Sequence, residues 1–173
     1  MKILIVVDMQ HDFVDGTLGS DAARAIVPNV LAKIDTYEKE KNPVIFTRDT
    51  HQENYLETQE GRNLPVPHCI QGTPGWQILE SLHSQHHAKV DKVTFGSSEL
   101  PQVLDQTYGA YQIEAIELIG LCTDICVISN AMVLKAFFPE TPIVVDSACC
   151  AGVSEESHRN ALEAMKVCQI QVI

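Results

Sequence analysis

Short apolar runs alternate with helix-like stretches along the whole chain, and this alternation restricts the fold more than any other feature of the sequence. Continuous apolar runs are typical of strands that are buried on both faces, as in parallel sheets covered by helices on both sides. The pattern therefore predicts an α/β fold, namely a three-layer α/β/α sandwich around a mostly parallel, roughly six-stranded sheet. The predicted strands are Ile3–Val7, Pro43–Thr47, Lys89–Val93, Ala115–Gly120, Pro142–Asp146 and Gln169–Ile173.

The segments between these runs are predicted to be helices or loops. Ser154 is expected to be an N-cap, because Glu155 and Glu156 follow in the first turn, where the helix dipole favours carboxylates. Residues 49–71 show no periodic pattern, and a loop of this length inside a compact domain is usually functional. The predicted helices are Asp21–Glu40, Gly75–His83, Leu100–Tyr108, Thr123–Phe137 and Ser154–Val167.

Length and charge limit the class of protein. The 173 residues predict a single domain spanning residues 1–173. A net charge of −11 without any run of lysine or arginine argues against a nucleic-acid partner. The apolar run after Lys2 is too short for a signal peptide or a membrane span, so we expect a cytoplasmic protein without membrane contacts. The cysteines are then expected to be thiols, with Cys149, Cys150 and Cys168 as buried apolar groups.

Chemistry is expected where the predicted strands end, because parallel sheets bind ligands beyond the carboxyl ends of their strands. Asp8 follows the first strand, and the motif "RDTH" follows the second. Lys92 belongs to the end of the third strand, and Cys126 follows the fourth. Asp146 ends the fifth. The other polar residues of the first motif, His11, Asp12 and Asp15, are expected to be loop groups without a chemical role.

Cys126 is the first candidate for catalysis. If a helix begins at Thr123 or Asp124, Cys126 falls in its first turn, where unpaired N–H groups and the helix dipole stabilise a thiolate. A cysteine nucleophile also needs a base, which Asp8 can supply, while Lys92 can orient the pair. Taken alone, Cys126 fits a core cysteine better than a nucleophile, and it is the joint position of these three residues that favours a catalytic site.

Asp49, His51 and His68 are candidate metal ligands. In an extended chain Asp49 and His51 point to the same side, and His68 lies in a proline-rigidified stretch. One carboxylate and two imidazoles suit Zn²⁺ or Fe²⁺. Glu57 or Glu60 can add a ligand from the loop. A second cluster, His83, His86 and His87, is not expected to bind metal, because it lies at a predicted helix end where solvated polar residues are common.

Five motifs together resemble the isochorismatase-like cysteine hydrolase superfamily, and most closely its nicotinamidase (pyrazinamidase) branch. They occur in the order typical of the superfamily and span most of the chain. The motifs are "ILIVVDMQHDFVDGTL", "VIFTRDTHQEN", "LPVPHCIQGTPGW", "VDKVTFGSS" and "LIGLCTDICV".

The resemblance implies roles for individual residues. It implies a catalytic triad of Asp8, Lys92 and Cys126, and a metal ligated by Asp49, His51 and His68, with Glu60 as a further ligand in preference to Glu57. The metal is expected to be Zn²⁺, with Fe²⁺ or Mn²⁺ as alternatives. A cis peptide before Cys122 is implied, and with it an oxyanion hole formed by the backbone N–H groups of Cys122 and Cys126. Phe13 matches an aromatic residue of the substrate pocket.

The implied activity is deamidation of nicotinamide, or of a similar small heteroaromatic carboxamide, through a cysteine thioester. Pro65 occupies the position where nicotinamidases usually carry Trp or Phe, and Leu64 is a poor substitute for ring stacking. Hydrolysis of another small amide, ureido or carbamoyl compound is therefore the alternative. Apolar faces and the resemblance also predict a homo-oligomer.

Two classes outside the hydrolases share parts of this pattern. A phosphoacceptor signalling domain also opens with an apolar strand that ends in acidic residues, but it needs two adjacent carboxylates and a late Lys-Pro. Here Met9 follows Asp8, and no Lys-Pro occurs. A non-catalytic binding module on the same fold would not need Asp8, Lys92 and Cys126 together.

Overall fold

The computed structural model describes all 173 residues. Its centre is a six-stranded, entirely parallel sheet with the order β3-β2-β1-β4-β5-β6. The predicted α/β/α class and strand number are confirmed. The strands are β1 (Lys2–Val7), β2 (Val44–Asp49), β3 (Ala88–Lys92), β4 (Ala115–Leu121), β5 (Ile143–Ala151) and β6 (Gln171–Val172).

Helices cover both faces of the sheet and create two separate cores. Alternate residues of β1 point to opposite faces of the sheet. Ile3, Ile5 and Val7 belong to the core on the first face, and Leu4 and Val6 belong to the core on the second face. Helix α2 packs on the second face, while α4, α5 and α6 pack on the first. No helix is both long enough and apolar enough to cross a membrane. The helices are α1 (His11–Val14), α2 (Asp21–Lys39), α3 (Gln59–Asn63), α4 (Leu100–Tyr108), α5 (Ile128–Phe137) and α6 (Glu155–Val167).

The prediction of a helix over Gly75–His83 was wrong. Two short 3₁₀ turns, Pro74–Trp76 and Glu80–Leu82, occupy this region. The chain between them is extended and pairs with the segment after β1: Ile78 forms an antiparallel bridge with Gln10. The backbone N–H groups here are therefore satisfied by a distant segment instead of a local helix.

Three further predictions need correction. Strand β5 does not end at Asp146 but continues to Ala151, and Asp146 forms an ion pair with Lys33 at 2.8 Å. The loop of residues 49–71 contains helix α3 and a 3₁₀ turn, Tyr55–Glu57. Cys168 is exposed at the end of α6, whereas Cys149 and Cys150 are buried as predicted.

The sheet order reverses between β1 and β4, and this is the point where such sheets bind ligands. Val7 pairs with Gly120 across these strands. Gly120 has a φ of +115°, and a Cβ atom there would lie 2.1 Å from the carbonyl oxygen of Val7. Only glycine permits this close approach. Asp8 then leaves the strand with a φ of +48°, which explains why the apolar run stops at a carboxylate.

Candidate active site

Asp8, Lys92 and Cys126 meet at the carboxyl ends of three strands. The Lys92 ammonium lies 2.6 Å from Asp8 Oδ2 and donates a hydrogen bond to Cys126 Sγ at 3.5 Å. All three residues are buried. The structure therefore brings together the three groups that the sequence predicts as a triad, with Lys92 between the carboxylate and the thiol.

The Asp8 carboxylate is also held by Thr47, a residue that the sequence motifs did not indicate. The Thr47 hydroxyl donates to Asp8 Oδ1 at 2.6 Å and accepts from the Asp8 backbone N–H at 3.3 Å. Burial raises the pKa of the Asp8 carboxyl, while Lys92 and Thr47 act in the opposite direction. A buried carboxylate with a raised pKa is a stronger base than an exposed one.

The surroundings of Cys126 favour its thiol form over the thiolate that a helix start would stabilise. Burial, followed by the charge of Asp8, raises the pKa of Cys126 well above its usual value. Lys92 lowers it by a smaller amount. Burial and the neighbouring carboxylate therefore outweigh the helix terminus. A proton acceptor is needed to activate the sulfur, and Asp8 is the base beside it.

The turn that carries Cys126 is shaped by local and distant contacts. The peptide bond between Leu121 and Cys122 is cis, as the resemblance implies. A π-helical turn, Thr123–Val127, follows and continues directly into α5, so the predicted helical stretch is confirmed in outline. Buried Asn130 donates to the Cys126 carbonyl at 2.8 Å and accepts from Ser97 N–H at 2.9 Å. Asn130 is the single amide side chain in a largely apolar predicted helix, and this feature of the sequence could have indicated its role in holding the turn.

The four predicted metal ligands form one cluster. The ligand atoms of Asp49, His51, Glu60 and His68 all lie within 4.8 Å of one another. His51 Nε2 is 2.9 Å from Asp49 Oδ2 and 3.5 Å from Glu60 Oε1. Atoms that bind one metal at 2.0–2.2 Å are separated by about 3–3.5 Å, so these residues fit a divalent cation. Glu57 is absent from the cluster, which agrees with the preference for Glu60.

Two polar residues of the first motif hold the segments that carry the predicted metal ligands in position. Gln10 accepts from Asp49 N–H at 2.7 Å and donates to the Asp49 carbonyl at 2.8 Å. Asp12 accepts from Cys69 N–H at 2.7 Å, beside the predicted ligand His68. Asp12 therefore has a structural role, and it lies in helix α1 instead of the predicted loop. His11 and Asp15 contact each other away from the cavity.

A cavity of about 330 Å³ opens beside these groups. Cys126, Asp49 and His68 line it, together with Glu60 and Cys122. Phe13 lies in the wall, with its ring 5.5 Å from the His68 ring, as its predicted pocket position requires. Leu64 lines the cavity, whereas Pro65 does not. The other apolar lining residues are Leu18, Ala23, Phe95, Leu121, Ile125 and Val153.

The fold and the site together define a hydrolase of the isochorismatase type. Residues 2–173 match the isochorismatase domain family, so the chain belongs to that family. Within it, the chain falls in the nicotinamidase branch. The nicotinamidase/pyrazinamidase of Mycobacterium tuberculosis is 28% identical over an alignment of 193 residues, gaps included. The alignment covers 100% of this chain and 98% of the relative.

Solved structures agree with this assignment. The pyrazinamidase/nicotinamidase of Streptococcus mutans superimposes with a TM-score of 0.85 at 26% identity, covering 100% of both chains. The pyrazinamidase of Pyrococcus horikoshii in complex with zinc superimposes with a TM-score of 0.82 at 26% identity, covering 99% of this chain and 98% of that one.

Proposed function

We propose that this protein is a cysteine-dependent amidohydrolase that converts nicotinamide, or a similar small heteroaromatic carboxamide, to the acid and ammonia. The observation that carries the proposal is the contact of Lys92 with both Asp8 and Cys126 beside an apolar cavity. Membership of the nicotinamidase branch supports this choice of reaction.

In the first half-reaction the Asp8 carboxylate takes the thiol proton of Cys126, and the sulfur attacks the amide carbon. The carbonyl electron pair moves to oxygen, where the backbone N–H groups of Cys122 and Cys126 stabilise the charge. The C–N bond then breaks. The leaving nitrogen receives the proton from Asp8 and departs as ammonia, which leaves a thioester on Cys126.

In the second half-reaction Asp8 takes a proton from water as the water oxygen attacks the thioester carbon. The intermediate collapses, the C–S bond breaks, and Cys126 recovers its proton from Asp8 while the acid leaves. Lys92 remains protonated throughout: burial alone would lower its pKa, but the charges of Asp8, Cys126 and Asp49 raise it. Its fixed positive charge holds the Asp8 carboxylate and the Cys126 sulfur in position relative to each other.

Asp49, His51, Glu60 and His68 would hold the divalent cation. Zn²⁺ is proposed, because this donor set suits it and a pyrazinamidase relative was solved with zinc. When bound, the cation supplies a Lewis acid that positions a ring nitrogen of the substrate. His68 is prepared for such a role, because its Nδ1 contacts the Val66 carbonyl at 2.8 Å and leaves Nε2 to face the cluster.

Hydrolysis of a different amide, ureido or carbamoyl compound is the second candidate. The observation that favours it is the aliphatic Leu64 in the cavity wall, with Pro65 outside the lining, where the resemblance implies an aromatic residue. The chemistry at Cys126 would be the same, and only the bound acyl group would differ.

The C126A variant tests the mechanism. We expect it to release no ammonia from nicotinamide or pyrazinamide, because the attacking atom is missing, while it still binds nicotinamide in calorimetry. The matched control is C168A, which removes an exposed thiol far from the cavity and should keep full activity. Full activity of C126A would contradict the cysteine mechanism.

A substrate panel separates the two candidate functions. Ammonia release is measured from nicotinamide, pyrazinamide and a set of ureido compounds, before and after chelation of the metal. Release from a ureido compound but not from nicotinamide, in the metal-replete enzyme, would transfer the assignment to the second candidate.

A further inference from the structure

The π-helical turn that carries Cys126 is joined to helix α6 by a hydrogen bond that the proposed mechanism does not use. Thr123 Oγ1 lies 2.8 Å from Nδ1 of His158, which belongs to α6. Thr123 is fully buried and His158 is half-buried. The Thr123 hydroxyl has no other hydrogen-bond partner, so loss of the imidazole would leave a buried hydroxyl unpaired, which is costly.

The loop between β5 and α6 is fixed to the same turn. The Asp124 carboxylate accepts from the backbone N–H of Val153 at 3.1 and 3.3 Å. Gly152 packs so closely on His158 that a Cβ atom added at Gly152 would lie 2.9 Å from the Cβ of His158. Both Gly152 and Val153 line the active-site cavity. His158 therefore contacts the wall of the cavity on one side and the turn with Cys126 on the other.

The imidazole of His158 is suited to accept this hydrogen bond at neutral pH. Burial lowers the pKa of His158 below its ordinary value of 6.5, and Arg159 lowers it further, while the carboxylates of Asp124 and Glu155 oppose this shift without cancelling it. A neutral imidazole has one unprotonated ring nitrogen, which accepts hydrogen bonds. Nδ1 can therefore accept from the Thr123 hydroxyl.

The position of Thr123 affects Cys122, whose backbone N–H is one of the two proposed oxyanion donors. The Cys122 carbonyl accepts from the N–H groups of Ile125 and Val127 at 3.1 and 3.0 Å, so the turn itself fixes that carbonyl. The Thr123 side chain adds a fixed point outside the turn, on α6. Movement of Thr123 would rotate Cys122 about its Cα atom and direct its N–H away from the oxygen of the intermediate.

We propose that His158 is a positioning residue for the amidohydrolase reaction: its hydrogen bond to Thr123 holds Cys122 so that the Cys122 N–H meets the negatively charged oxygen of the tetrahedral intermediate. This inference rests on the proposed function and adds to it a residue outside the cavity lining. An oxyanion donor bonds more strongly to the transition state than to the bound substrate. Loss of His158 therefore acts on kcat and leaves KM nearly unchanged.

The variants H158L and T123V remove the hydrogen bond from its two ends. We measure ammonia release from the amide of the substrate panel that the wild type hydrolyses. Each variant should lower kcat by roughly tenfold to 100-fold and keep KM within about twofold of the wild-type value. The double variant should lose no more than the single variants, because both substitutions remove one shared contact. The control R159Q removes an exposed ion pair with Glu155 from the same helix and should keep kcat.

The variants H158N and H158Q separate the hydrogen bond from packing. An asparagine carries its amide atoms at the position that Nδ1 occupies in histidine, whereas a glutamine carries them one bond farther from the backbone. We expect H158N to restore most of the kcat that H158L loses. H158Q should resemble H158L, because its amide does not reach the Thr123 hydroxyl in the same geometry.

The outcomes distinguish this inference from the proposed function. If the wild type releases ammonia but H158L and T123V retain its kcat, or if H158N is no more active than H158L, the inference is overturned and the proposed function stands. A rise in KM at unchanged kcat would also overturn it. If H158L fails to fold, T123V and H158N decide. If the wild type releases ammonia from no amide of the panel, the proposed function fails and the inference fails with it.

Discussion

The Asp8 carboxylate depends on a single hydroxyl group for part of its position and charge. Burial raises the pKa of Asp8, and the contact with Thr47 opposes that rise. In a T47V variant the carboxylate loses its partner at 2.6 Å, so its pKa should rise further. We expect the acidic limb of the pH profile of kcat/KM to move upward by about one pH unit, because one hydrogen bond to a charged group has this magnitude.

The control for T47V is T36V, since the Thr36 hydroxyl bonds only to its own helix, at Ala32. Its pH profile should match that of the wild type. A T47V profile that also coincides with the wild type would show that this hydroxyl does not tune the base.

Asp12 and Asp15 are neighbouring acids of one motif with different tasks. Asp12 fixes the Cys69 N–H beside the predicted ligand His68, whereas Asp15 contacts only the half-buried His11. We expect D12A to weaken Zn²⁺ binding about tenfold or more, within the range seen when groups that orient metal ligands are lost. D15A should retain wild-type affinity in the same chelator competition. Equal affinities in both variants would contradict the role given to Asp12.

These supporting residues could not be predicted from the sequence. The contacts of Thr47 with Asp8, of Gln10 with Asp49 and of Asp12 with Cys69 join residues 39 to 57 positions apart. They depend on the tertiary fold. The predicted triad and three of the four predicted metal ligands could be located from the sequence, because each of these residues follows a recognisable strand or belongs to a specific motif. Glu60 belongs to no such motif.

At the scale of elements, predictions succeeded where local sequence determines structure. Ser154 caps α6, with its Oγ accepting from Ser157 N–H at 3.1 Å, as its position predicts. The prediction of a helix over Gly75–His83 failed, because Ile78 pairs with the distant Gln10 and this tertiary contact overrides a helical pattern. Strand β5 passes through Asp146 because the ion pair with Lys33 satisfies that carboxylate on the sheet.

Helix α1, which carries Phe13, is joined to the turn at Glu80 by one imidazole. His11 contacts Asp15 at 2.9 Å and Glu80 at 3.0 Å. Burial lowers the pKa of His11, but these two carboxylates raise it by more, so the net shift is above the ordinary value of 6.5. The raised pKa means that the stabilisation is complete below the unfolded-state pKa and is lost as pH rises through the folded-state pKa.

An H11Q variant should therefore be less stable than the wild type at pH 5 and equally stable at pH 9. The difference at pH 5 should be about 0.5 kcal/mol in the free energy of unfolding, because the pair is largely exposed and screened. Urea unfolding at both pH values measures it. A difference that grows with pH would contradict the assignment.

At the scale of the whole molecule, the site exists because four strand ends converge around one switch point. β1 contributes Asp8, β2 contributes Asp49, and Lys92 ends β3. The turn after β4 supplies Cys126. The alternation of elements predicts this convergence, since the carboxyl ends of parallel strands share one edge of the sheet. The separation of β1 from β4 at that edge depends on one residue, Gly120.

G120A tests that dependence. A methyl group would lie 2.1 Å from the Val7 carbonyl oxygen, on a backbone with a φ of +115°. We expect the free energy of unfolding to fall by about 3 kcal/mol or more, because both overpacking and backbone strain oppose folding. In the fraction that folds, β1 and β4 must move apart, and displacement of Asp8 from Cys126 by about 1 Å should lower kcat roughly 100-fold.

G109A is the matched control, because Gly109 also has a positive φ, +75°, but a methyl group added there would meet no atom within 4 Å. It should therefore lose only the conformational contribution of a backbone with a ψ of 123°, about 1–3 kcal/mol, and keep its kcat. Urea unfolding and ammonia release are measured for both variants. If G120A loses no more stability than G109A and retains kcat, close contact between β1 and β4 is not what holds Asp8 and Cys126 together.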